Sequence, residues 1–227
     1  MEAVFLGLNE AGEEVYEWLN HREDVDVLAL LTEEEQLSLI EELRPDIVIS
    51  SGFEHKVPKE IIEVPEKGVV NLHPSFLPYN RGSHPYIWPI IDGTPAGVSV
   101  HYMNEEIDEG PIIDRMKIRK RPDDDSRSLR QRLMKAQADI FVENWERIKE
   151  GPETVDQSPE DGTTHFRREL DEASRIDTEK EMKVGEFIDL LRALSYTSDG
   201  LAWFEDDGER FFLNLDITPE KDVDHSL

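Results

Sequence analysis

Gly68-Val69-Val70-Asn71-Leu72-His73-Pro74-Ser75-Phe76-Leu77-Pro78 reads as an apolar strand that carries two polar side chains and stops at a proline. Val69, Val70 and Leu72 suit a strand buried on both faces, and Pro74 forces His73 into extended backbone, so the strand continues to His73. Asn71 and His73 are two residues apart and therefore point to one face. Further apolar runs lie upstream at residues 3–6, 25–31 and 46–50, and downstream at 96–103 and 112–118. Helical segments fall between the first of these, at 13–19 and at 33–43, the second acidic with Leu37, Ile40 and Leu43 on one side. Alternation of this kind predicts an α/β fold, a Rossmann-like, mostly parallel sheet with helices on both faces. The carboxyl ends of the strands in such a sheet form its ligand side, which is where Asn71 and His73 stand.

Asp123-Asp124-Asp125-Ser126 places carboxylates at a helix N-terminus, where the helix dipole favours them. Leu129, Leu133, Ala136, Ile140, Phe141, Trp145 and Ile148 then keep helical spacing until Gly151-Pro152 stops it. Residues 151–166 are polar and turn-rich, and set the expected boundary between a larger domain (1–150) and a small C-terminal subdomain (151–227). That subdomain is predicted to be a helix with Val184, Phe187, Ile188, Leu191 and Leu194 on one face, followed by a hairpin. The hairpin pairs 201–205 with 210–217 around Asp206-Asp207-Gly208-Glu209. The last ten residues are expected to fray.

The charge balance is extreme: 52 Asp+Glu against 25 Lys+Arg in 227 residues, a formal net charge of −27. A field of that sign repels phosphate backbones and anionic membranes, which argues against nucleic-acid and lipid partners. With the acid spread over nearly every segment, the balance reads as adaptation to high salt, a halophilic signature. Cysteine is absent, which excludes disulfides and thiolate chemistry. The seven histidines show no ligand spacing, so no metal is expected. No stretch approaches the ~20 apolar residues of a membrane helix, and the first residues lack a basic leader pattern, so the expected location is cytoplasmic. Gly7 and Gly12 follow the first strand without the middle glycine of a dinucleotide fingerprint, and a tight turn accounts for them.

A second informative stretch is Gly97-Val98-Ser99-Val100-His101-Tyr102-Met103-Asn104-Glu105-Glu106-Ile107-Asp108-Glu109-Gly110-Pro111, a strand leaving into an acidic turn. His101 alternates with valines and reads as structural. Together the two stretches resemble the folate-dependent formyltransferases. The family pattern of Asn-x-His-Pro-Ser, a nearby Leu-Pro and Gly, and an Asp in an acidic turn before Gly is matched. The matching residues are Asn71, His73, Pro74, Ser75, Leu77, Pro78, Gly82, Asp108 and Gly110. Within the family the chain is most similar to the sugar N-formyltransferases, through residues 51–61, the loop 77–82 with Pro85 and Trp88, and the helix and aromatic hairpin near the end.

The resemblance implies transfer of a formyl group from N10-formyltetrahydrofolate to the amine of a nucleotide-linked amino sugar. It implies Asn71, His73 and Asp108 as catalytic residues and no metal. It places the folate against Phe53, His55 and Val57 on one side and Glu105, Glu106 and Ile107 on the other, and the acceptor near Asn80 and Arg81. The hairpin aromatics Trp203, Phe204, Phe211 and Phe212 are a candidate homodimer surface, with packing on their own helix through Phe187 and Leu191 as the alternative. The rivals are formylation of glycinamide ribonucleotide or methionyl-tRNA, hydrolysis of formyl-folate, and a non-catalytic folate or sugar-nucleotide binding protein. Leu8-Asn9-Glu10-Ala11 lacks the Gly-Ser-rich phosphate loop of the glycinamide ribonucleotide enzymes, and an intact Asn71/His73/Asp108 set argues against a sensor.

Overall fold

Strand β1 (Glu2–Leu6) shows in four residues why its sheet is covered on both faces. Ala3 and Phe5 enter one apolar cluster, Val4 and Leu6 the other, and all four are buried, as period-two alternation requires. The computed structural model describes the chain except residues 159, 160, 199 and 224–227. Two of these fall in the expected boundary segment and four in the tail expected to fray, and those parts of the expectation lie outside the described residues.

After β1 come α1 (Glu10–Asn20), β2 (Asp26–Leu31), α2 (Leu39–Leu43), β3 (Ile47–Ser51), α3 (Lys59–Ile62), β4 (Val69–His73) and β5 (Arg81–Gly82). Next are α4 (Trp88–Ile91), β6 (Ala96–Tyr102), β7 (Ile112–Ile118), α5 (Ser126–Glu150), β8 (Thr164–His165) and α6 (Arg167–Ser174). The chain continues through α7 (Val184–Leu194), β9 (Ala202–Asp206) and β10 (Glu209–Leu213). The main sheet has the order β2-β1-β3-β4-β6-β7. Its first three pairings are parallel, and the pairs β4–β6 and β6–β7 are antiparallel. The mostly parallel sheet therefore has an antiparallel margin, because residues 103–111 join β6 directly to β7 with no crossover helix. That connection is the acidic turn singled out above.

Helix α5 covers one face with Leu129, Leu133, Ile140, Phe141, Trp145 and Ile148, all buried. Asp125 caps it by accepting from the Ser128 amide at 2.6 Å, an interaction typically worth about 1 kcal/mol, and Gly151 at φ +85° ends it. The other face is packed by Leu37, Ile40, Val57 and Ile61, but only as far as Val69 on β4. Val70 and Leu72 turn to the α5 side, so Asn71 and His73 face the side that α5 does not fill.

Two expectations need correction, and one helix, α6, has no counterpart among them. The acidic helix at 33–43 is a 3₁₀ turn at Glu34–Gln36 followed by the short α2, because Gln36 Oε1 takes the amides of Thr32 and Glu33 and tightens the chain. The hairpin ends at Leu213 rather than 217. Helix α6 has too few apolar residues to have been read from its pattern, and its end is held by Ile176 donating to the Trp203 carbonyl at 2.8 Å.

Gly7 lies where β1 crosses the chain at Gly52-Phe53. A Cβ there would stand 2.3 Å from the Phe53 nitrogen, so close approach explains the glycine and no phosphate cradle is needed. Past α5 the chain returns over β7, where Val155 and Ile112 exchange both backbone hydrogen bonds at 2.8 Å, and β8 pairs with β5. Residues 155–158 and 161–165 thus form a strap lying on the loop that follows β4.

Candidate active site

Strand register builds the polar centre. Asn71 on β4 pairs with His101 on β6, which sets their side chains next to each other, Asn71 Nδ2 3.1 Å from His101 Nε2. His101 Nδ1 donates to the Tyr102 carbonyl at 2.8 Å, so Nε2 of that tautomer accepts from the Asn71 amide. Asn71 Nδ2 is also 3.5 Å from Asp108 Oδ1. On the same strand face His73 Nε2 donates to the Asn80 carbonyl at 3.2 Å, and its Nδ1 stands 3.5 Å from Asp108 Oδ2. Asp108 Oδ1 is 3.6 Å from His101 Nε2, so one carboxylate lies between two imidazoles.

Asp108 reaches this position by an unusual backbone path, with φ at +53°. Its Oδ2 accepts from the Gly82 amide at 2.8 Å, which ties the acidic turn to the loop after β4. Two residues on, Gly110 passes so close to β6 that a Cβ would stand 1.8 Å from the Tyr102 carbonyl oxygen, so no other residue fits.

Burial pushes the His73 pKa below its ordinary value, only partly opposed by the Asp108 carboxylate, which keeps the ring neutral near pH 7. For Asp108, burial acts upward, but His73, His101 and the Gly82 amide outweigh it and hold the carboxyl well below the usual carboxylate range. The result is a neutral imidazole beside a fixed negative charge. A proton taken at His73 Nδ1 would be stabilised on arrival.

Asn71, His73 and Asp108 are thus brought together. His101 is a fourth member, although its alternation with valines predicts a structural residue. The two segments expected around the folate face each other. Phe53 and Met103 are half-buried against the apolar cluster that holds Val57, Phe53 meets His55 edge-on at 5.3 Å, and Lys59 pairs with Glu105 across the gap. His55 lies 3.9 Å from Glu34, while Glu106 and Ile107 are exposed at the tip of the turn.

Asn80 and Arg81 lie differently from a surface acceptor site. Both are buried, at 0% and 1% exposure. The Asn80 side chain is held by Thr94, Thr163 and the Pro95 carbonyl, and Arg81 by Gln157, the Ser158 carbonyl and, at 3.7 Å, Glu109. Among the described residues no group of three or more His, Asp or Glu side chains is placed to hold a metal ion. A groove of about 820 Å³ lies away from this centre, between α6 and the hairpin, with Arg175, Trp203 and Arg210 on its walls.

Comparison with known proteins brings two family matches: formyl transferase over residues 20–144 and the N-formyltransferase dimerization C-terminal domain over 169–219. The dTDP-4-amino-4,6-dideoxyglucose formyltransferase of Mycobacterium tuberculosis is 33% identical over 181 residues, covering 78% of this chain and 76% of that protein. The methionyl-tRNA formyltransferase of Trichlorobacter lovleyi is 34% identical, but over 55% of this chain and 40% of that protein. Among solved structures, one from Mycobacterium tuberculosis assigned to the sugar N-formyltransferases superposes with a TM-score of 0.85 at 28% identity, covering 97% and 99% of the two chains.

Proposed function

Because the chain belongs to the formyl transferase family, we propose that it transfers a formyl group from N10-formyltetrahydrofolate to the amine of a nucleotide-linked amino sugar. The observation that carries this reading is the convergence of Asn71, His73 and Asp108 at the carboxyl end of β4, in a chain similar along most of its length to a formyltransferase of a dTDP-linked amino sugar. The methionyl-tRNA formyltransferase of Trichlorobacter lovleyi is matched over only 40% of its length, against 76% for the amino-sugar enzyme, which favours the amino-sugar reading. The acidity also disfavours tRNA.

The folate fits the residues present: apolar Phe53 and Val57 on one side, the 105–107 turn on the other, and the Asn71 donor and His73 base beyond. When bound it supplies the electrophilic formyl carbon. Of the two Asn71 amide N–H groups one is committed to His101 Nε2, and the other, held only by the long 3.5 Å contact to Asp108 Oδ1, is the donor for negative charge developing on the formyl oxygen. One such donor is worth about 10²–10³ in kcat. His73 Nδ1 takes a proton from the attacking amine and returns it to the departing nitrogen, directly or through water. Asp108 stabilises the imidazolium in between. Asn80 and Arg81 serve the acceptor side by shaping its loop from within.

The test is turnover with formyl-folate and a panel of nucleotide-linked amino sugars, with glycinamide ribonucleotide and methionyl-tRNA alongside. Formylation of at least one amino sugar, far above the other two acceptors, is expected. Folate release at the same rate without any amine would make the protein a hydrolase instead.

We further infer a homodimer through the C-terminal segment, supported by Phe211 and Phe212 standing 41% and 56% exposed and by the dimerization-domain match over 169–219. The acidity we read as adaptation to a salt-rich cytoplasm. With −27 on one chain, self-repulsion destabilises the fold in dilute buffer, and at 1 M salt the Debye length falls to about 3 Å. The melting temperature is therefore expected to rise steeply from low salt to molar KCl, and a flat profile in a calorimetric salt series would refute the halophilic reading.

A further inference from the structure

We propose that Gln157 is a positioning residue for Asp108, holding the 108–110 turn through its side-chain amide. Nε2 of Gln157 donates to the Asp108 carbonyl at 2.8 Å and to the Gly110 carbonyl at 2.7 Å. Its Oε1 accepts from Nε and Nη2 of Arg81 at 3.2 and 3.1 Å. Two N–H donors and two lone pairs are the whole inventory of a glutamine amide, so every position is used. Carbonyls only accept and a guanidinium only donates, which permits one orientation of the amide and no flip.

What the amide holds is a turn that would not hold itself. Asp108 has a left-handed backbone, sparsely populated outside glycine, and such a conformation persists where the surroundings over-determine it. Gln157 fixes the carbonyl of Asp108 itself and the one two residues later. The Gly82 amide fixes the carboxylate, and Arg81 reaches both Gln157 and Glu109. Asp108 is therefore gripped by its backbone from the strap and by its side chain from the loop after β4. No hydrogen bond of Gln157 goes to Asn71, His73 or His101, so its influence on them passes through the turn.

The strap has its own anchors. Val155 and Ile112 exchange backbone hydrogen bonds, and Thr163 binds Asn80 on the far side. Substitution of Gln157 thus removes the grip while leaving the segment in place.

Gln157→Glu isolates the grip. The carboxylate keeps acceptors for Arg81 but sets oxygen against the two carbonyls of the turn. A displacement of about 1 Å at a reacting group can cost about 10²-fold, so kcat is expected to fall about 10- to 100-fold, with KM for formyl-folate nearly unchanged. The decisive measurement is the double-mutant cycle with Asp108→Asn, in which the same Gln157→Glu change should cost less than about 3-fold. Gln157→Met, uncharged and of similar length, repeats the cycle if the glutamate variant melts early.

The inference rests on the role given to Asp108 above. If Asp108→Asn turns over normally, that role and this proposal both fall. If Asp108→Asn is crippled but Gln157→Glu is fully active, or costs the same factor in both backgrounds, only the role of Gln157 is overturned.

Discussion

His73→Ala is expected to lower kcat by at least ~10²-fold while formyl-folate still binds. The imidazole is buried on β4, its Nε2 committed to the Asn80 carbonyl, which leaves Nδ1 as the nitrogen that can exchange a proton. Burial holds the ring below its ordinary value of 6.5, so it is a ready base at neutral pH. The sign of the pH dependence follows. Protonation at low pH removes the base, so kcat/KM of the wild type should fall on the acid side through a pKa below 6.5. In His73→Ala that limb should vanish together with most of the activity. Truncation also leaves the Asn80 carbonyl without its donor, so the melting point has to be measured beside turnover. A folded His73→Ala protein with near-normal kcat would remove the imidazole from the mechanism.

Much of this centre was legible because strand parity is a local property. Val70 and Leu72 alternate with Asn71 and His73 so simply that the shared face of the two polar residues follows from the spacing alone. Asp108 was recoverable only through its resemblance to a family pattern, since nothing in a chain with 52 acids distinguishes one carboxylate. His101 needed the pairing register: only when β6 runs antiparallel to β4 does it stand opposite Asn71, and pairing partners are not written in either strand. The resemblance places Arg81 near the acceptor, and nothing in its local sequence marks it as buried. The strap that buries it comes from more than seventy residues further along the chain, as its bond to Gln157 shows. Gln157 itself sits in a polar stretch that composition marks as a boundary. What escaped the sequence was long-range contact between segments whose local patterns are bland.

Asp108→Asn separates a role in charge from a role in shape. Asparagine keeps the size, and its Oδ1 can still accept from the Gly82 amide, so the left-handed turn gripped by Gln157 has reason to persist. The negative charge between His73 and His101 is lost. A unit charge at about 4 Å is worth on the order of 4 kcal/mol at an effective dielectric of 20, which bounds the loss near 10³-fold in rate. A fall in kcat of about 10²–10³-fold is expected, with formyl-folate binding retained. The residual activity carries the more telling signal. Burial lowers the His73 pKa and Asp108 is the main influence opposing it, so with the carboxylate gone the acid limb of kcat/KM should move to lower pH than in the wild type. Asp123→Asn, which removes an exposed carboxylate in the segment leading to α5, supplies the comparison and should leave rate and limb where they were. Should Asp108→Asn behave like Asp123→Asn, the carboxylate between the histidines would hold the turn in place and contribute nothing to the chemistry.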